Sequence, residues 1–275
     1  RTPNPCVMCN NWLKFGKLHE HAGQIGADFV ASGHYARIAD RGGRPALLTG
    51  KHADKDQSYV LFGIPRDQLA STLLPIGEYE TKEEVRELAR KFGLPVFNKP
   101  DSQEICFVPD NDYAAFVESE RPALLSAKGE IRDTKGNTLG EHDGQHRFTI
   151  GQRRKIGVAL GHPIYVVDKD PVTNTVTIGS EEDLLSASCR VMDANWLADS
   201  ELGVWQPCLA RCRYNGQLAQ AEIRRDPEDE STFEVRFETP QRAVTPGQAV
   251  VVHDQSDPDR VLGGGWIGNT SQEAL

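Results

Sequence analysis

Apolar residues between positions 81 and 93 recur with the period of an amphipathic helix. The i, i+3, i+4, i+7 spacing is shared by four residues, Val85, Leu88, Ala89 and Phe92. Thr81 and Glu84 form a capping box in front of this stripe, and Gly93 and Pro95 follow it. The pattern predicts a helix that begins after Thr81 and ends before Gly93.

A second helix, followed by a short strand, is predicted nearer the start of the chain. The apolar stripe over 13–25 has helical spacing, and Gly26 ends it. The run 29–31 is a buried-strand candidate that leads directly into Ser32-Gly33-His34. Small residues at the carboxyl end of a strand are where α/β sheets bind ligands. We therefore expect α/β structure here, with a ligand edge at these three residues.

The pattern changes after about residue 112. It predicts a short helix over 112–120 and mostly β structure beyond that helix. Four runs have strand character, 164–167, 175–178, 248–252 and 261–267, and the first two flank a hairpin loop. Three apolar residues alternate with charged ones, as in a half-buried strand: Phe233, Val235 and Phe237. Pro246-Gly247 is typical of a type II turn. We expect a mixed middle part and an all-β part from about residue 186.

The composition is that of a globular protein without a membrane segment. Of its 275 residues, 38% are hydrophobic and 26% are charged, and no apolar run approaches the ~20 residues that a membrane helix needs. No signal-peptide pattern opens the chain, so we expect a cytoplasmic protein with six cysteines in which any disulfide is transient and catalytic. The net charge of −9 excludes a uniformly basic surface but not a local basic face that binds nucleic acid.

Three cysteines lie in polar segments, where a thiol is more often reactive than packed. Cys6 and Cys9 form a Cys-x-x-Cys pair, and Cys106 lies in Asp101-Ser102-Gln103-Glu104-Ile105-Cys106-Phe107. Two such thiols brought together exchange disulfides or pass a persulfide sulfur to an acceptor. The pairing of these segments is therefore the main indication of chemistry.

The remaining cysteines favour a structural interpretation. Cys189, Cys208 and Cys212 have apolar or β-patterned neighbours, so core packing is expected for them. A zinc site is the alternative, in which Cys208 and Cys212 would complete a set begun by the Cys-x-x-Cys pair. The long spacing between the two halves makes it the less favoured hypothesis.

Polar and basic segments leave two interpretations open. Lys55-Asp56-Gln57-Ser58-Tyr59 is either a solvated loop or a contact to phosphate and base. Arg153-Arg154-Lys155 and Arg211-Cys212-Arg213-Tyr214 suit phosphate neutralisation and base stacking, although a surface strand carries the same residue types without a ligand. His34, at the expected ligand edge, is as compatible with a structural role as with a functional one.

These segments together resemble one family, the bacterial and organellar tRNA-specific 2-thiouridylases. The matching motifs keep one order along the whole chain. They are Thr2-Pro3-Asn4-Pro5 with Cys9-Asn10, Ala31-Ser32-Gly33-His34-Tyr35, Lys55-Asp56-Gln57-Ser58-Tyr59, Asp101-Ser102 with Ile105-Cys106-Phe107, Thr149-Ile150-Gly151-Gln152-Arg153, Tyr165-Val166-Val167-Asp168-Lys169, Thr245-Pro246-Gly247-Gln248 and Gly263-Gly264-Gly265. Because order and spacing agree throughout, the resemblance is more specific than any single motif.

The resemblance implies a fold of α/β and β type. It predicts a truncated pyrophosphatase-loop (adenine nucleotide alpha hydrolase-like) catalytic domain over 1–111, a small central tRNA-binding domain over 112–185 and a C-terminal β-barrel over 186–275. The family begins with a Ser-Gly-Gly-Val-Asp-Ser type loop that holds the ATP phosphates, and no segment of this sequence matches it. We therefore expect that the 275-residue chain by itself does not adenylate tRNA.

The implied reaction is ATP-dependent transfer of sulfur to C2 of the wobble uridine in tRNAs for lysine, glutamate and glutamine. ATP, with Mg²⁺, adenylates the C2 oxygen so that AMP can leave, and no permanently bound metal is expected. Cys106 is the implied persulfide carrier, and Cys9 is the partner nucleophile that closes a disulfide with it. The implied partners are tRNA and a sulfur-donor protein that carries a persulfide, with no role for a membrane.

Further site residues are carried over from the same resemblance. Asn4, Pro5 and Cys6 match the segment that holds the target base, and Gly33 matches a nucleotide contact. Positions that contact tRNA are matched by seven residues: His34, Lys55, Asp56, Gln57, Arg213, Tyr214 and Gln248. Some members have aspartate where Cys6 stands, suggested to act as an acid or base, and that role does not carry over to a cysteine.

Two alternatives stay open at the level of sequence. One is a non-catalytic RNA-binding remnant that lacks the ATP loop, and the other is a thiol-disulfide protein that uses Cys6 and Cys9 alone. Substitution by serine separates them, because thiolation needs both Cys9 and Cys106. An RNA-binding module keeps its affinity without either thiol, and a Cys6/Cys9 redox pair is indifferent to Cys106.

Overall fold

The computed structural model describes residues 4–99, 106, 108, 112–120, 122 and 128–268. These residues divide into two compact units. The larger unit holds residues 4–99, 188–239 and 247–268, and the smaller unit holds 106, 108, 112–120, 122, 128–187 and 240–246. Within the described ranges, no helix is both long enough and apolar enough to cross a membrane.

The larger unit begins with a continuous helical segment. It runs from α1 (Pro5–Met8) through a π-helix (Cys9–Lys17) into α2 (Leu18–Gln24). The helix predicted over 13–25 is confirmed, but it begins earlier than the apolar stripe. The reason is local, because the Asn4 side chain caps the first turn and Pro5 occupies a position where its missing N–H costs nothing.

A short parallel sheet and a hairpin follow in the larger unit. β1 (Val30–Ala31) pairs in parallel with β4 (Thr72–Leu73), and β2 (Ala36–Asp40) pairs antiparallel with β3 (Pro45–Thr49). The predicted strand over 29–31 starts one residue late, since Phe29 is 55% exposed and only Val30 is buried. Short 3₁₀-helices lie at Ala53–Lys55, Ser58–Leu61, Arg66–Ser71 and Pro75–Glu78.

α3 (Lys82–Lys91) confirms the helix predicted from the 81–93 pattern. Glu84 N donates to Thr81 Oγ1 at 3.3 Å, and Thr81 N donates to the Glu84 carboxylate at 3.0 Å, so the capping box is complete. None of its residues is buried. Capping and charges in the terminal turns therefore stabilise this helix more than packing does.

The chain after residue 185 forms a closed six-stranded barrel, which confirms the predicted C-terminal β-barrel. Its strands are β9 (Leu185–Trp196), β10 (Gln206–Arg211), β11 (Ala219–Arg225), β12 (Phe233–Arg242), β13 (Ala249–His253) and β14 (Val261–Ile267). They close in the order β10-β11-β12-β9-β14-β13. Phe233, Val235 and Phe237 are buried as their alternation predicts, and Gly247 has the φ of 90° that the predicted type II turn needs.

One core joins the helical part and the barrel part of the larger unit. Its buried residues come from both parts, among them Val7, Phe15, Leu61, Leu197, Val251 and Val261. The Tyr59 hydroxyl donates to Ala249 O at 2.9 Å. Asn195 Nδ2 donates to Phe62 O at 2.6 Å and to Ile64 O at 2.7 Å. Segments more than 130 residues apart thus fold together.

The described residues of the smaller unit include a four-stranded sheet and an α-helix. Its elements are α4 (Tyr113–Glu120), β5 (Gly129–Asp133), β6 (Thr138–His142), β7 (Tyr165–Asp170) and β8 (Thr175–Gly179), with 3₁₀-helices at Gln145–Arg147 and Glu182–Leu184. The sheet order is β6-β5-β8-β7, and β7 and β8 form the predicted hairpin. The short helix predicted over 112–120 is confirmed by α4.

Candidate active site

Cys6 and Cys9 lie on the first turns of the helical segment that opens the larger unit. Asn4 Oδ1 accepts from Val7 N at 3.3 Å, which fixes the start of the helix. Val7 is fully buried, so it anchors the turn to the core and turns Cys6 toward solvent. Cys9 is half-buried. The predicted base-holding residues Asn4 and Pro5 therefore also serve to position both thiols.

Cys9 begins the π-helical stretch Cys9–Lys17. The next residue, Asn10, is buried, and its Nδ2 donates to Val60 O at 3.0 Å. This bond ties the helix to the 3₁₀-helix Ser58–Leu61. π-helical turns are uncommon and occur often at functional sites.

His34 lies buried at the carboxyl end of β1, between two polar partners. Its Nε2 is 3.4 Å from the Lys14 ammonium, and its Nδ1 is 2.7 Å from Ser32 Oγ. Because an ammonium group only donates, Nε2 accepts, and the imidazole proton therefore lies on Nδ1. Burial, and then the Lys14 charge, lower the pKa of His34 to about 4. The imidazole is therefore neutral at pH 7, and its Nε2 accepts a hydrogen bond from the exposed Lys14 ammonium at the strand edge.

Gly33 leaves open space at the same edge. A Cβ at this position would meet nothing closer than Ile76 Cδ1 at 3.9 Å, and its φ lies outside the left-handed region. Neither packing nor backbone conformation therefore requires glycine here. At Gly77, by contrast, a Cβ would overlap the carbonyl of Ala36. The space over Gly33 suits the close approach of a ligand to the backbone.

Asp56 is a buried centre of hydrogen bonds. Its oxygens accept from Gly50 N at 3.1 Å, from Ser58 N at 3.0 Å and from Ser58 Oγ at 2.9 Å. The Arg211 guanidinium pairs with it at 3.1 Å, and the exposed fractions of the two side chains are only 5% and 14%. Asp56 thus joins the Lys55–Gln57 segment to the end of β10, whereas its direct contact with tRNA stays a prediction.

Gln57 fixes the backbone that follows His34. Gln57 N donates to Tyr35 O at 2.8 Å, and Gln57 Oε1 accepts from Tyr35 N at 2.9 Å. The neighbouring Lys55 is half-buried. The predicted Lys55–Gln57 segment is therefore an ordered turn against the strand edge and not a freely solvated loop.

Tyr214 follows β10 in the barrel part of the larger unit and contacts Tyr59. Its ring is 38% exposed and stands edge-on to Tyr59 at a centroid distance of 6.1 Å. Burial is the main cause that raises the pKa of Tyr214, and the Asp56 carboxylate adds to the increase while the Arg211 guanidinium opposes it. The structure thus brings Tyr214 against Tyr59, and the Arg211–Asp56 pair joins the same two stretches of sequence.

Arg213 and Gln248 flank the same side of the barrel. Both are half-buried. The carbonyl of Arg213 accepts from Gly216 N at 3.0 Å, and that of Gln248 accepts from Ile267 N at 2.8 Å. Gln248 directly precedes Ala249, whose carbonyl accepts from Tyr59. Their backbones are fixed, and their predicted contacts with tRNA stay predictions.

Cys106 belongs to the smaller unit and is exposed. Most of its motif, Asp101–Ile105 and Phe107, lies outside the described residues. All six cysteines are free thiols in this structure. The pairing of Cys106 with Cys9 therefore stays a prediction about a state reached during the reaction.

The other thiols have the environment of inert side chains. Burial raises the pKa of Cys208 and of Cys212 to about 12, and it also raises the pKa of Cys189. A buried thiol that stays protonated is a poor nucleophile and a poor metal ligand. In the described part of the chain, no group of three or more histidine, cysteine or acidic residues is placed to hold a metal ion.

Two residues of this site were not selected from the sequence. Lys14 was assigned only to a helical stripe, and Arg211 only to a basic cluster. A cation five residues after Cys9 is a usable signal in hindsight, because it shares the helix with a candidate nucleophile. No sequence pattern predicts the Arg211–Asp56 pair, since it joins segments 155 residues apart.

Family models assign a domain to each part of the chain. The tRNA methyl transferase HUP domain matches residues 1–110, the tRNA methyl transferase PRC-barrel domain matches 115–180, and the Aminomethyltransferase beta-barrel domain matches 186–267. Together with the observed closed barrel, these matches confirm the predicted fold class. They place the chain in a class of proteins built from these three domain types, two of which are named for tRNA methyl transferases.

Curated relatives narrow this class to a family. A protein of Rhodopirellula baltica named tRNA-specific 2-thiouridylase MnmA is 47% identical over 269 residues, which are 97% of this chain and 66% of the relative. Relatives with the same name in Lachnoclostridium phytofermentans and Halothermothrix orenii are 49% and 46% identical, over 97% of this chain and 73% of each relative. The chain belongs to the tRNA-specific 2-thiouridylase family, and it spans 66% to 73% of the length of these relatives.

Proposed function

We propose that this chain is the sulfur-transferring part of an ATP-dependent tRNA-uridine 2-sulfurtransferase. It acts on C2 of the wobble uridine in tRNAs for lysine, glutamate and glutamine. The observation that carries the proposal is the placement of Cys9 on a helix whose Lys14 reaches the open strand edge at Gly33 and His34. Carboxyl edges of parallel strands are where α/β folds bind nucleotides.

The proposed sulfur transfer uses two thiols and one activated base. The outer sulfur of a Cys106 persulfide attacks C2 of the adenylated uridine, and AMP leaves with the original C2 oxygen. The Cys9 thiolate then attacks Cys106 Sγ. The bond between Cys106 Sγ and the sulfur on C2 breaks, and its electron pair stays on that sulfur, which becomes the thiocarbonyl sulfur. The products are 2-thiouridine and a Cys9–Cys106 disulfide, which a thiol reductant must open before the next turnover.

ATP supplies the adenylyl group that activates the base, with Mg²⁺ as its expected counter-ion. In this chain, the open edge at Gly33 fits the approach of a nucleotide. The neutral His34 holds the Lys14 ammonium beside that edge, where a cation favours a phosphate group. No part of this sequence matches the family's pyrophosphate loop, so most of the contacts to the phosphates are expected from outside the 275 residues.

Base capture is proposed for the cluster around Tyr214. A wobble uridine has to leave the anticodon stack before a thiol can reach C2. The exposed Tyr214 ring offers a stacking surface, and the Asp56–Arg211 pair holds the segment on which it lies. Cys6 is exposed on α1, so a base can reach it, and its assignment to the base pocket follows the family resemblance.

The experiment is complementation of a bacterial strain that lacks its own 2-thiouridylase. The 275-residue chain is expressed alone and as a fusion to the part of the Lachnoclostridium relative that the match does not cover. 2-Thiouridine in total tRNA is quantified by mass spectrometry of nucleosides. We expect 2-thiouridine with the fusion, and we expect none with the chain alone.

Three serine variants of the fusion separate the proposal from its rivals. Cys9→Ser and Cys106→Ser should abolish 2-thiouridine, whereas Cys6→Ser should retain part of it. A Cys6/Cys9 redox protein would instead respond to Cys6 and not to Cys106. Normal 2-thiouridine in the Cys106→Ser variant would refute the proposed mechanism.

A further inference from the structure

Three consecutive cations are presented by one loop of the smaller unit. Arg153, Arg154 and Lys155 are all exposed, and they lie between β6 and β7. We call residues 149–157 the basic loop. The site described above uses none of them.

The side chains of the basic loop lack counter-ions. Within the described residues, none of the three cations makes a hydrogen bond or ion pair through its side chain. Other arginines of the same unit do: Arg132 pairs with Glu130, Arg147 with Glu118 and Arg242 with Glu181. In a chain with a net charge of −9, three adjacent unpaired cations form a local positive surface. Such a surface attracts polyanions irrespective of the overall charge.

The conformation of the basic loop is held by hydrogen bonds. Gln152 Oε1 accepts from Thr149 N at 3.0 Å, and Gln152 Nε2 donates to Arg154 O at 2.8 Å. The backbone of the loop also joins β7, where Gly151 N donates to Val166 O at 2.8 Å.

Two further features hold the same conformation. Ile156 is buried in the core of the unit directly after the three cations. Lys155 has a φ of 59°, a left-handed conformation that lysine seldom adopts. A loop held in a disfavoured conformation by its own side chains is typical of a functional surface.

We propose that the basic loop binds the phosphate backbone of the tRNA substrate. This inference rests on the proposed function and adds a contact surface outside the candidate active site. Arginine and lysine neutralise phosphates and release condensed counter-ions, which supplies most of the sequence-independent affinity for nucleic acid. The basic loop contains no aromatic ring for stacking, and its one amide side chain, Gln152, is already bonded to Thr149 N and Arg154 O. We assign its three cations to phosphate contacts, which position the tRNA without reading its sequence.

The test is the salt dependence of tRNA binding by the full chain. An unmodified tRNA transcript with a wobble uridine is titrated by fluorescence anisotropy between about 50 and 200 mM salt. The loop variant is R153Q/R154Q/K155N, in which asparagine is chosen because it tolerates the left-handed backbone. The matched control, K128Q/R132Q/K135Q, removes the same number of positive charges from the β5 region of the same unit. There, Lys128 lies 3.9 Å from Asp143, and Arg132 pairs with Glu130.

The loop variant should reduce the slope of log affinity against log salt by roughly 2 to 3, and the control by less than about 1. At about 0.1 M salt this corresponds to a loss of affinity on the order of a hundredfold for the loop variant. Circular dichroism and thermal melting of both variants check that they fold. Equal slopes for the loop variant and the control would overturn the proposal. An equal loss of binding to poly-L-glutamate would also overturn the assignment to RNA. Absence of salt-dependent tRNA binding by the unsubstituted chain would instead refute the proposed function itself.

Discussion

Two buried histidines of the larger unit are held in the neutral form. Burial is the main cause at both, and it lowers the pKa of His34 and of His253 to about 4. At His34 the Lys14 ammonium acts in the same direction. Each histidine therefore favours the folded state only while it stays uncharged.

The low pKa values of these two histidines predict how the stability of the chain depends on pH. An unfolded histidine titrates near its ordinary pKa of about 6.5, so its stabilisation is fully present above that pH. As the pH falls from about 6.5 towards 4, the histidine binds a proton in the unfolded state but not in the folded state, and the free energy of unfolding declines. The expected decline is about 3 kcal/mol for each group. Urea unfolding at several pH values measures it, and His34→Gln should remove about half.

Lys14→Met should raise the pKa of His34 towards its ordinary value, because it removes the neighbouring positive charge. An NMR titration of the His34 ring reports this change directly. The pKa of His253 provides the internal control and should stay where it is. No change at His34 would show that burial alone sets its protonation state.

Gly33→Ala should separate ligand approach from folding. A methyl group at this position has room within the protein, so the melting temperature should change little. It would occupy the space in front of the strand edge, and thiolation by the fusion should fall at least tenfold. Gly77→Ala is the control with the opposite expectation, because its Cβ would overlap the Ala36 carbonyl and destabilise the fold. Full activity of the Gly33→Ala variant would contradict a nucleotide contact there.

Asp56→Ala should be strongly destabilising. It removes the partner of a buried guanidinium, Arg211, and leaves that charge uncompensated. Breaking such a buried pair typically costs about 3 to 5 kcal/mol, which urea unfolding can resolve. Asp199→Ala is the matched control, since Asp199 pairs with Arg44 and Arg66 but is 73% exposed, and its loss should change stability little. Equal effects of the two substitutions on the free energy of unfolding would contradict the conclusion that the buried Asp56–Arg211 pair stabilises the fold.

Individual elements differ in how far the sequence predicts them. α3 was predictable almost to the residue, because its capping box and apolar spacing are local signals. The alternation in β12 was equally clear. The winding of Cys9–Lys17 as a π-helix was not predictable from local spacing, and its Asn10 contacts Val60, fifty residues away. Local patterns specify the type of an element, and distant contacts specify its details.

At the scale of one loop, Gln152 offers a test that leaves every charge in place. Its side chain bridges Thr149 N and Arg154 O. In Gln152→Ala the basic loop should lose this support, so ordering it on the tRNA costs additional entropy. We expect tRNA affinity to fall about threefold to tenfold, while the salt slope stays near that of the unsubstituted chain. A fall in the slope as large as that of the loop variant would show that Gln152 does more than order the backbone.

For the whole molecule, the sequence predicted the order of domain types but not how they associate. An all-β part was expected from the strand pattern and a barrel from the family resemblance, yet its sharing of one core with the helical part rests on long-range contacts such as Tyr59 with Ala249. The site shows the same limit. The thiols, Gly33 and His34 were selected as candidates from motifs, whereas Lys14 and Arg211 were identified only from their contacts in the structure.

The central claim is that Cys9 and Cys106 act on one uridine, although the chain places them in different compact units. The most direct measurement is disulfide mapping of the fusion after one turnover with ATP, tRNA and a persulfide donor. The protein is alkylated and digested without reductant, and linked peptides are identified by mass spectrometry. We predict a Cys9–Cys106 linkage that appears in proportion to 2-thiouridine and is absent when ATP or tRNA is withheld. Thiolation accompanied by a Cys6–Cys9 linkage, or by no disulfide at all, would contradict the account.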